Sequence, residues 1–409
     1  MKFSRRAERI EPFYVMEVAK AAQAMARKVA DSSQPMIFLN IGEPDFTAPP
    51  LVQEAAARAV HDGATQYTQS LGYEPLRERI SGWYQQRFGV NVPARRIVVT
   101  AGASAALHLA CLALIEAGDE VLMPDPSYPC NRHFVSAAEG NAILIPTTAA
   151  ERYQLSAEKV QAAWNSKTRG VLLASPSNPT GTSIAQGELR RIHGVVQDRG
   201  GVTMIDEIYL GLSYDDAFGQ TALAIDDNVI SINSFSKYFN MTGWRLGWLV
   251  VPESIVDTVE QIAQHLFICP STVSQYAALA CFEKESLDEY ERRRAEFKAR
   301  RDWFVPQLNA LGLDVPVTPD GAFYAWADCR AACDKLFGPA SAARSEYNSG
   351  MQCAGSWDFA FELMKRAHLA VTPGRDFGHA DTARFIRFST ANSMAQLHTA
   401  VDRLREVLA

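Results

Sequence analysis

Ser234-Phe-Ser-Lys-Tyr-Phe-Asn-Met-Thr-Gly-Trp-Arg-Leu-Gly-Trp248 sets one lysine, Lys237, just past a β-branched run, with an arginine, Arg245, eight residues downstream. A lysine becomes a covalent catalyst when its amine loses a proton and condenses with an aldehyde, and burial or a neighbouring cation lowers its pKa in that direction. Arg245 supplies such a cation and can also hold a phosphate. Ser234 and Ser236 carry hydroxyls able to donate to the same phosphate, and Gly243 and Gly247 allow close backbone approach. Read alone, the stretch fits better a surface lysine on a loop beside a structural arginine. The rest of the chain decides between the two.

The run before Lys237, Val229-Ile-Ser-Ile232, belongs to a series: Ile97–Thr100, Glu120–Met123, Asn141–Ile145, Val171–Ala174, Val202–Ile205 and Leu246–Val251, with helix-like stretches between many of them. Such alternation predicts an α/β fold, a mostly parallel sheet between layers of helices. Ligands of these sheets bind outside the carboxyl ends of the strands. The polar residues that stand out lie there: Gly102-Ala103-Ser104, Pro126-Ser-Tyr128, Asn178-Pro-Thr-Gly181, Asp206-Glu-Ile-Tyr209 and Ser234 to Lys237.

The 409 residues exceed one small core. Glu291 to Phe304 reads as part of a long charged helix, and the remainder of the chain reads as a smaller unit with its own strand and helix signals. The expected division is an N-terminal arm and part of a small domain over 1–45, a large cofactor-binding domain over 46–300, and a small C-terminal α+β domain over 301–409, so that the chain ends together form the small domain. The Ala-, Ser- and Gly-rich stretch Ala331 to Trp357 is expected to be a long excursion, mobile or partly helical.

Composition is that of an ordinary soluble globule, 47% hydrophobic and 21% charged. Lys and Arg total 40 against 46 Asp and Glu, a net charge of −6, with no long basic run. Neither nucleic acid nor an anionic membrane is the expected partner. The basic start Met1-Lys-Phe-Ser-Arg-Arg is not followed by an apolar leader core, and no apolar run reaches spanning length, so the expected location is the cytoplasm. Seven cysteines make an odd count, and the close pair Cys329 and Cys333 lacks metal-site spacing and a nearby His. Reduced structural cysteines are expected, and no metal.

Thr100-Ala-Gly-Ala-Ser-Ala-Ala-Leu-His-Leu-Ala reads as a strand end entering a helix whose first turn would seat a phosphate. Equally, Gly102 is a turn glycine and Ser104 an N-cap. The helix is apolar all round, which predicts burial between the sheet and a partner, with His108 a core histidine. Asp206 follows an apolar run, where an unpaired carboxylate is costly unless a cation or strong donor meets it. A protonated ring nitrogen is such a partner; an N-cap or loop ion pair is the alternative. Tyr209 and the Asn178 amide could both donate to an anionic phenolic oxygen.

Together these residues resemble the class I aminotransferase family of fold-type-I pyridoxal-phosphate enzymes. The resemblance runs from about Ile10 to the C-terminus through Gly42-Glu-Pro-Asp-Phe46, Tyr67 with Gly72-Tyr-Glu-Pro-Leu-Arg77, Ser175-Pro-Ser-Asn-Pro-Thr-Gly181, Asp206-Glu-Ile-Tyr209, Ser234-Phe-Ser-Lys237 with Arg245, and Arg387-Phe-Ser-Thr-Ala391. It implies pyridoxal 5'-phosphate as cofactor, Lys237 as the Schiff-base lysine and Asp206 as partner of the pyridine nitrogen. It further implies that Tyr209 and Asn178 bind the phenolate oxygen and that Tyr128 stacks on the ring. Ser234, Ser236, Arg245 and the turn Gly102-Ala103-Ser104 would hold the phosphate. Tyr67 would reach the phosphate of the neighbouring subunit, which implies a homodimer with shared sites. Arg387, assisted by backbone near Gly42, would pair with the substrate α-carboxylate, a role for which a guanidinium fork suits better than an ammonium. Arg384 lies off this pattern and reads as structural.

Dicarboxylate-specific members of the family bring a second arginine from the partner subunit. An ungapped reading puts His265 near that place, and Phe13, Tyr14 and Val15 near the pocket entrance, with no arginine evident. The expected reaction is therefore transamination between a neutral or aromatic L-amino acid and a 2-oxo acid, with His265 otherwise a helix-surface residue. A carbon–sulfur β-lyase is the alternative, since the same residues serve any Cα carbanion and a fold does not choose the reaction.

Overall fold

The computed structural model describes residues 2–12, 14–337 and 355–409. Seven strands make one sheet: β1 (Ile97–Thr100), β2 (Glu120–Asp125), β3 (Asn141–Pro146), β4 (Thr168–Ala174), β5 (Val202–Asp206), β6 (Ile230–Ser234) and β7 (Gly247–Val250). They lie in the order β1-β7-β6-β5-β4-β2-β3. Pairing is parallel from β6 across to β3, whereas β7 runs antiparallel to both its neighbours. Its apolar Gly247-Trp-Leu-Val250 looks no different from the parallel strands inside the sheet, because it and they are buried on both faces, whereas the edge strand β3 is only half-buried. The connection sets its direction: residues 235–246 hold no crossover helix, only a short 3₁₀ turn at Thr242–Trp244, and parallel pairing needs a crossover. Hence β1 to β6 all end at the same side of the sheet.

Three helices position the site: α1 (Tyr14–Lys28), α2 (Ala103–Leu114) and α3 (Lys284–Ala310). Helix α2 starts directly after β1 and packs Ala106, Leu107, Leu109, Ala110 and Cys111 against Val98, Ile232 and Leu249 of the sheet. Its cap is Gly102, at φ +84°, with no side-chain capping bond, so Ser104 lies inside the first turn and is not the N-cap. A left-handed φ at the strand–helix junction favours glycine there, and a serine cap further along would delay the helix past the phosphate-facing backbone.

Helix α3 joins two cores. Tyr290 and Phe297 pack with Phe235, Phe239 and Trp248 beneath the sheet. Phe304, Val305 and Leu308, further along, pack with Ile37, Leu39, Ile386 and Phe388. The second core carries a small antiparallel sheet of β8 (Tyr324–Asp328), β9 (Thr372–Pro373) and β10 (Phe385–Ser389), ordered β9-β10-β8. Ile37–Phe38 pairs in parallel with Leu369–Ala370 beside it, so an N-terminal segment is woven into the C-terminal unit. Of the stretch 331–357, residues up to Phe337 continue the helix Arg330–Phe337 and residues from Ser356 begin another, Ser356–Arg366; residues 338–354 lie outside the described residues, as does Phe13. No helix among the described residues is long and apolar enough to cross a membrane.

Candidate active site

A cavity of about 520 Å³ opens where β1, β4, β5 and β6 end, and its walls include Ala103, Ser104, Tyr128, Asn178, Asp206, Tyr209, Ser234, Ser236, Lys237, Arg245, Arg387 and Gly42. The parallel strands explain the convergence: each loop leaves the sheet at the same edge, and Arg387 arrives from β10 across the cleft.

Lys237 follows β6 by three residues and extends its Nζ to the Gly42 carbonyl oxygen, 2.5 Å away. Burial of the ammonium, with the Arg387 and Arg245 guanidiniums close by, lowers its pKa to about 8 against the opposing pull of Glu43 and Asp206. A lysine in that state reaches its neutral, nucleophilic form near neutral pH. Its backbone oxygen accepts from the Asn240 side-chain amide at 2.9 Å, and Asn240 in turn accepts from Arg293 of α3 at 2.7 Å. Arg293 also donates to the Thr47 carbonyl at 2.6 Å, so α3 braces Lys237 and the loop that receives its amine.

Asp206 ends β5 and is buried. Burial raises its pKa to about 6, opposed by the Ile208 N–H, the Lys237 ammonium and the Asn131 amide. A carboxylate in this position is stabilised by a cation arriving in the cavity. The adjacent Glu207 is engaged elsewhere, accepting from Thr221 Oγ1, Ser231 Oγ and the Ala222 N–H at 2.5 to 2.8 Å. It forms no metal pair with Asp206, and among the described residues no cluster of three or more His, Cys, Asp or Glu could hold a metal.

Arg387 is buried in β10 and donates to Asn178 Oδ1 at 2.9 Å and to the Asn40 carbonyl at 2.8 Å. With Asn178 Oδ1 so used, its amide nitrogen remains to donate into the cavity. Tyr209 meets Tyr324 hydroxyl to hydroxyl at 2.7 Å, and the Arg387 guanidinium lies 4.4 Å from the Tyr324 ring centroid. Tyr324 and Asn131 are thus site residues that sequence reasoning missed. Tyr324 sits in a small-domain strand whose register alone brings it to Arg387 and Tyr209, and Asn131 is an unremarkable residue of the helix Pro129–Ala137; neither carries a local pattern.

Close approach around Arg245 depends on two glycines. A Cβ on Gly102 would come within 2.7 Å of Arg245 Nη2, and one on Gly247 within 2.7 Å of the Ala103 nitrogen. Arg245 itself has φ +53° and is tied to the Thr242 carbonyl at 3.0 Å. Glycines therefore let the guanidinium lie against the first turn of α2, leaving cation, backbone N–H groups and Ser236 together, a fit for a phosphate. Gly243 differs from expectation: nothing lies within 4 Å of a Cβ there, so no close approach depends on it.

Other expected positions lie apart. Tyr67 is 79% exposed and His265, in the last turn of the helix Val256–Leu266, is exposed too; neither lines the cavity of its own subunit. His108 packs near Phe134 with its pKa lowered by burial. Arg384 pairs with Asp328 and Asp381. The six described cysteines are unpaired, with the Cys329 and Cys333 thiols 3.7 Å apart.

Residues 34–404 match the family model for aminotransferase class I and II. The chain is 36% identical to the valine–pyruvate aminotransferase of Mycobacterium tuberculosis, over 97% of this chain and 96% of that protein. It is 34% identical to an aspartate aminotransferase of Rhizobium meliloti, over 98% and 95%. The crystal structure of an aminotransferase from Mycobacterium tuberculosis superposes with a TM-score of 0.90 at 34% identity, covering 100% of this chain and 99% of that one. The chain belongs to the class I and II aminotransferase family: it is an aminotransferase, and its cofactor is pyridoxal phosphate.

Proposed function

We propose that this aminotransferase moves an amino group between a neutral or aromatic L-amino acid and a 2-oxo acid. The observation that carries the substrate class is the charge inventory of the cavity: its cations are Lys237, Arg245 and Arg387, and the lining beyond them is Val15, Met16, Ala19, Ile41 and Leu107 with the uncharged Gln23 and the acidic Glu43. With Lys237 assigned to the amine chemistry, Arg245 to the phosphate and Arg387 to the α-carboxylate, no cation among the described residues of that wall is left for a second substrate carboxylate. The relative named for valine and pyruvate agrees with an apolar donor.

When bound, pyridoxal phosphate supplies an aldehyde that condenses with amines and a ring that accepts the electrons of the breaking Cα–H bond. The chain's residues do the rest. Lys237 would hold the cofactor's aldehyde and, with its lowered pKa, would serve as the base that takes the proton from the substrate Cα. Asp206 would face the ring nitrogen. Tyr209 and Asn178 would donate to the phenolic oxygen, Tyr128 would cover the ring, and Ser234, Ser236, Arg245 and the Gly102 to Ser104 turn would hold the phosphate. Tyr324 keeps Arg387 and Tyr209 in register.

Two measurements test this. Borohydride reduction of the holoenzyme followed by peptide mapping should label Lys237, and a label on another lysine would overturn the assignment. A panel of L-amino acids, read by loss and keto-acid-driven return of the cofactor absorbance, should favour leucine, valine or phenylalanine over aspartate and glutamate. A preference for aspartate would overturn the substrate class, and release of pyruvate with ammonia would indicate β-elimination instead.

A further inference from the structure

Helix α1 has two working faces. Val18 and Ala22 pack with Met36, Met364 and Ala370, while Val15, Met16 and Ala19, with Gln23 a turn further on, line the cavity that holds Lys237. The cavity-facing stripe is held in place by that packing and by the helix's first turn. That turn has four N–H groups without helical partners.

Two of them are met from far away in sequence. The Asp376 carboxylate accepts the Val15 N–H at 2.5 Å and is buried, with the Tyr14 N–H bonded to it as well. Asp376 sits in a turn, residues 374–377, that is fixed to the large sheet's side of the cleft. Arg132 donates to the Asp376 carbonyl at 2.8 Å, and the Ser127 N–H to the Phe377 carbonyl at 2.7 Å. Asp125 Oδ2 accepts the His379 and Ala380 N–H groups at 2.9 and 3.0 Å. Arg132 also pairs with Glu11, just before α1, at 3.5 Å. On its other side the turn reaches the carboxylate clamp, since the Phe377 ring lies 5.2 Å from the Arg387 guanidinium and shares a cluster with Val15. The neighbouring Arg375 stacks over Tyr14, 3.9 Å from its ring centroid.

We propose that Asp376 is a positioning residue for substrate selection: by capping α1 from the turn next to Arg387, it holds Val15, Met16 and Ala19 as the apolar wall that receives the substrate side chain. The inference rests on the reading that Arg387 binds the α-carboxylate, which directs the side chain away from the clamp and toward the cavity mouth. An aspartate serves here because it accepts two N–H groups at a helix's positive end, where its charge is also stabilised.

The test compares native holoenzyme with Asp376→Ala and Asp376→Asn. Amide hydrogen exchange should speed up at Val15 to Ala19 in Asp376→Ala and stay unchanged in α2. The KM for L-leucine and L-phenylalanine should rise roughly tenfold, as expected for a lost cap of ordinary strength, with a smaller rise for L-alanine and with kcat and cofactor absorbance within about twofold of native. Asp376→Asn, which keeps one acceptor oxygen, should recover most of both effects; if Asp376→Ala does not fold, Asp376→Asn carries the same comparisons at smaller amplitude. Unchanged exchange in α1 would overturn the capping role. Faster exchange with an unchanged leucine-to-alanine KM ratio, or with equal losses of cofactor affinity and kcat, would overturn the selecting role. If the native enzyme turns over no apolar amino acid, the substrate reading fails while the exchange data still decide the cap.

Discussion

Lys237 carries a pH signature that can be read without any substrate. Its pKa is about 8 in the folded protein and near 10.5 when unfolded, so between those values the unfolded chain binds more protons than the native one. Stability therefore rises with pH through that window, and the buried ammonium is a burden that is fully present below about pH 8. Lys237→Met in the apoprotein should flatten this rise: the difference in denaturant midpoint between variant and native should favour the variant near pH 7 and shrink toward pH 10.5. A constant difference across the window would mean that the amine is not desolvated. Asp206 is the mirror case, a carboxyl raised to about 6 by burial, so a cation beside it would keep it ionised to lower pH. Asp206→Asn keeps the shape and removes the charge. We expect kcat to fall at least about a hundredfold, the scale of losing one preorganised electrostatic partner, with cofactor affinity, followed by absorbance titration, weakened far less. Near-native turnover would make the carboxylate structural.

At the scale of elements, the close contact of β7 with the start of α2 decides whether the phosphate seat forms. A Cβ on Gly247 would press on the Ala103 nitrogen at 2.7 Å, the Gly102 carbonyl carbon at 2.8 Å and the Asn233 oxygen at 2.9 Å, all backbone atoms that cannot rotate aside. Gly247→Ala should cost about 1–3 kcal/mol, the range for overpacking, measured as a shift in denaturant midpoint, and should weaken cofactor binding as α2 is pushed back. Gly243→Ala meets nothing within 4 Å and should be close to neutral in both; equal effects would refute the contact argument. The same pair shows what a sequence can and cannot reveal. Both glycines flank Arg245, and only the three-dimensional path of the chain separates the one that is needed. The strands were readable because buried β-branched runs between helices have one economical arrangement, and so were the residues at their ends. The direction of β7 was not readable, because a strand buried on both faces reads alike in either sense. Asp376, Tyr324 and Asn131 gave no local signal, since each acts through partners brought up by the register of another element: Val15, Tyr209 and Asp206 respectively.

For the whole molecule, the proposal of a homodimer with shared sites turns on Tyr67. Tyr67 stands on a loop between the helices Pro50–His61 and Glu74–Phe88 and is 79% exposed, away from its own subunit's cavity. The exposed apolar side chains Leu266 and Ile268 occupy the segment before Thr272, whose hydroxyl donates to the Gln66 carbonyl at 2.6 Å, so Tyr67 and this apolar segment belong to one surface. We propose that these exposed apolar groups and Tyr67 form an interface with a second copy of the chain, in which each Tyr67 would donate to the phosphate held by the other subunit's Arg245. Subunit mixing tests this. Tyr67→Phe and Lys237→Ala homodimers should both be impaired, whereas their hybrid should contain one site with both lesions and one with neither. Activity should therefore rise on exchange, toward one native site per hybrid dimer. Verified exchange without any such gain, or an active species that sediments as a monomer, would show that each site is complete within a single chain.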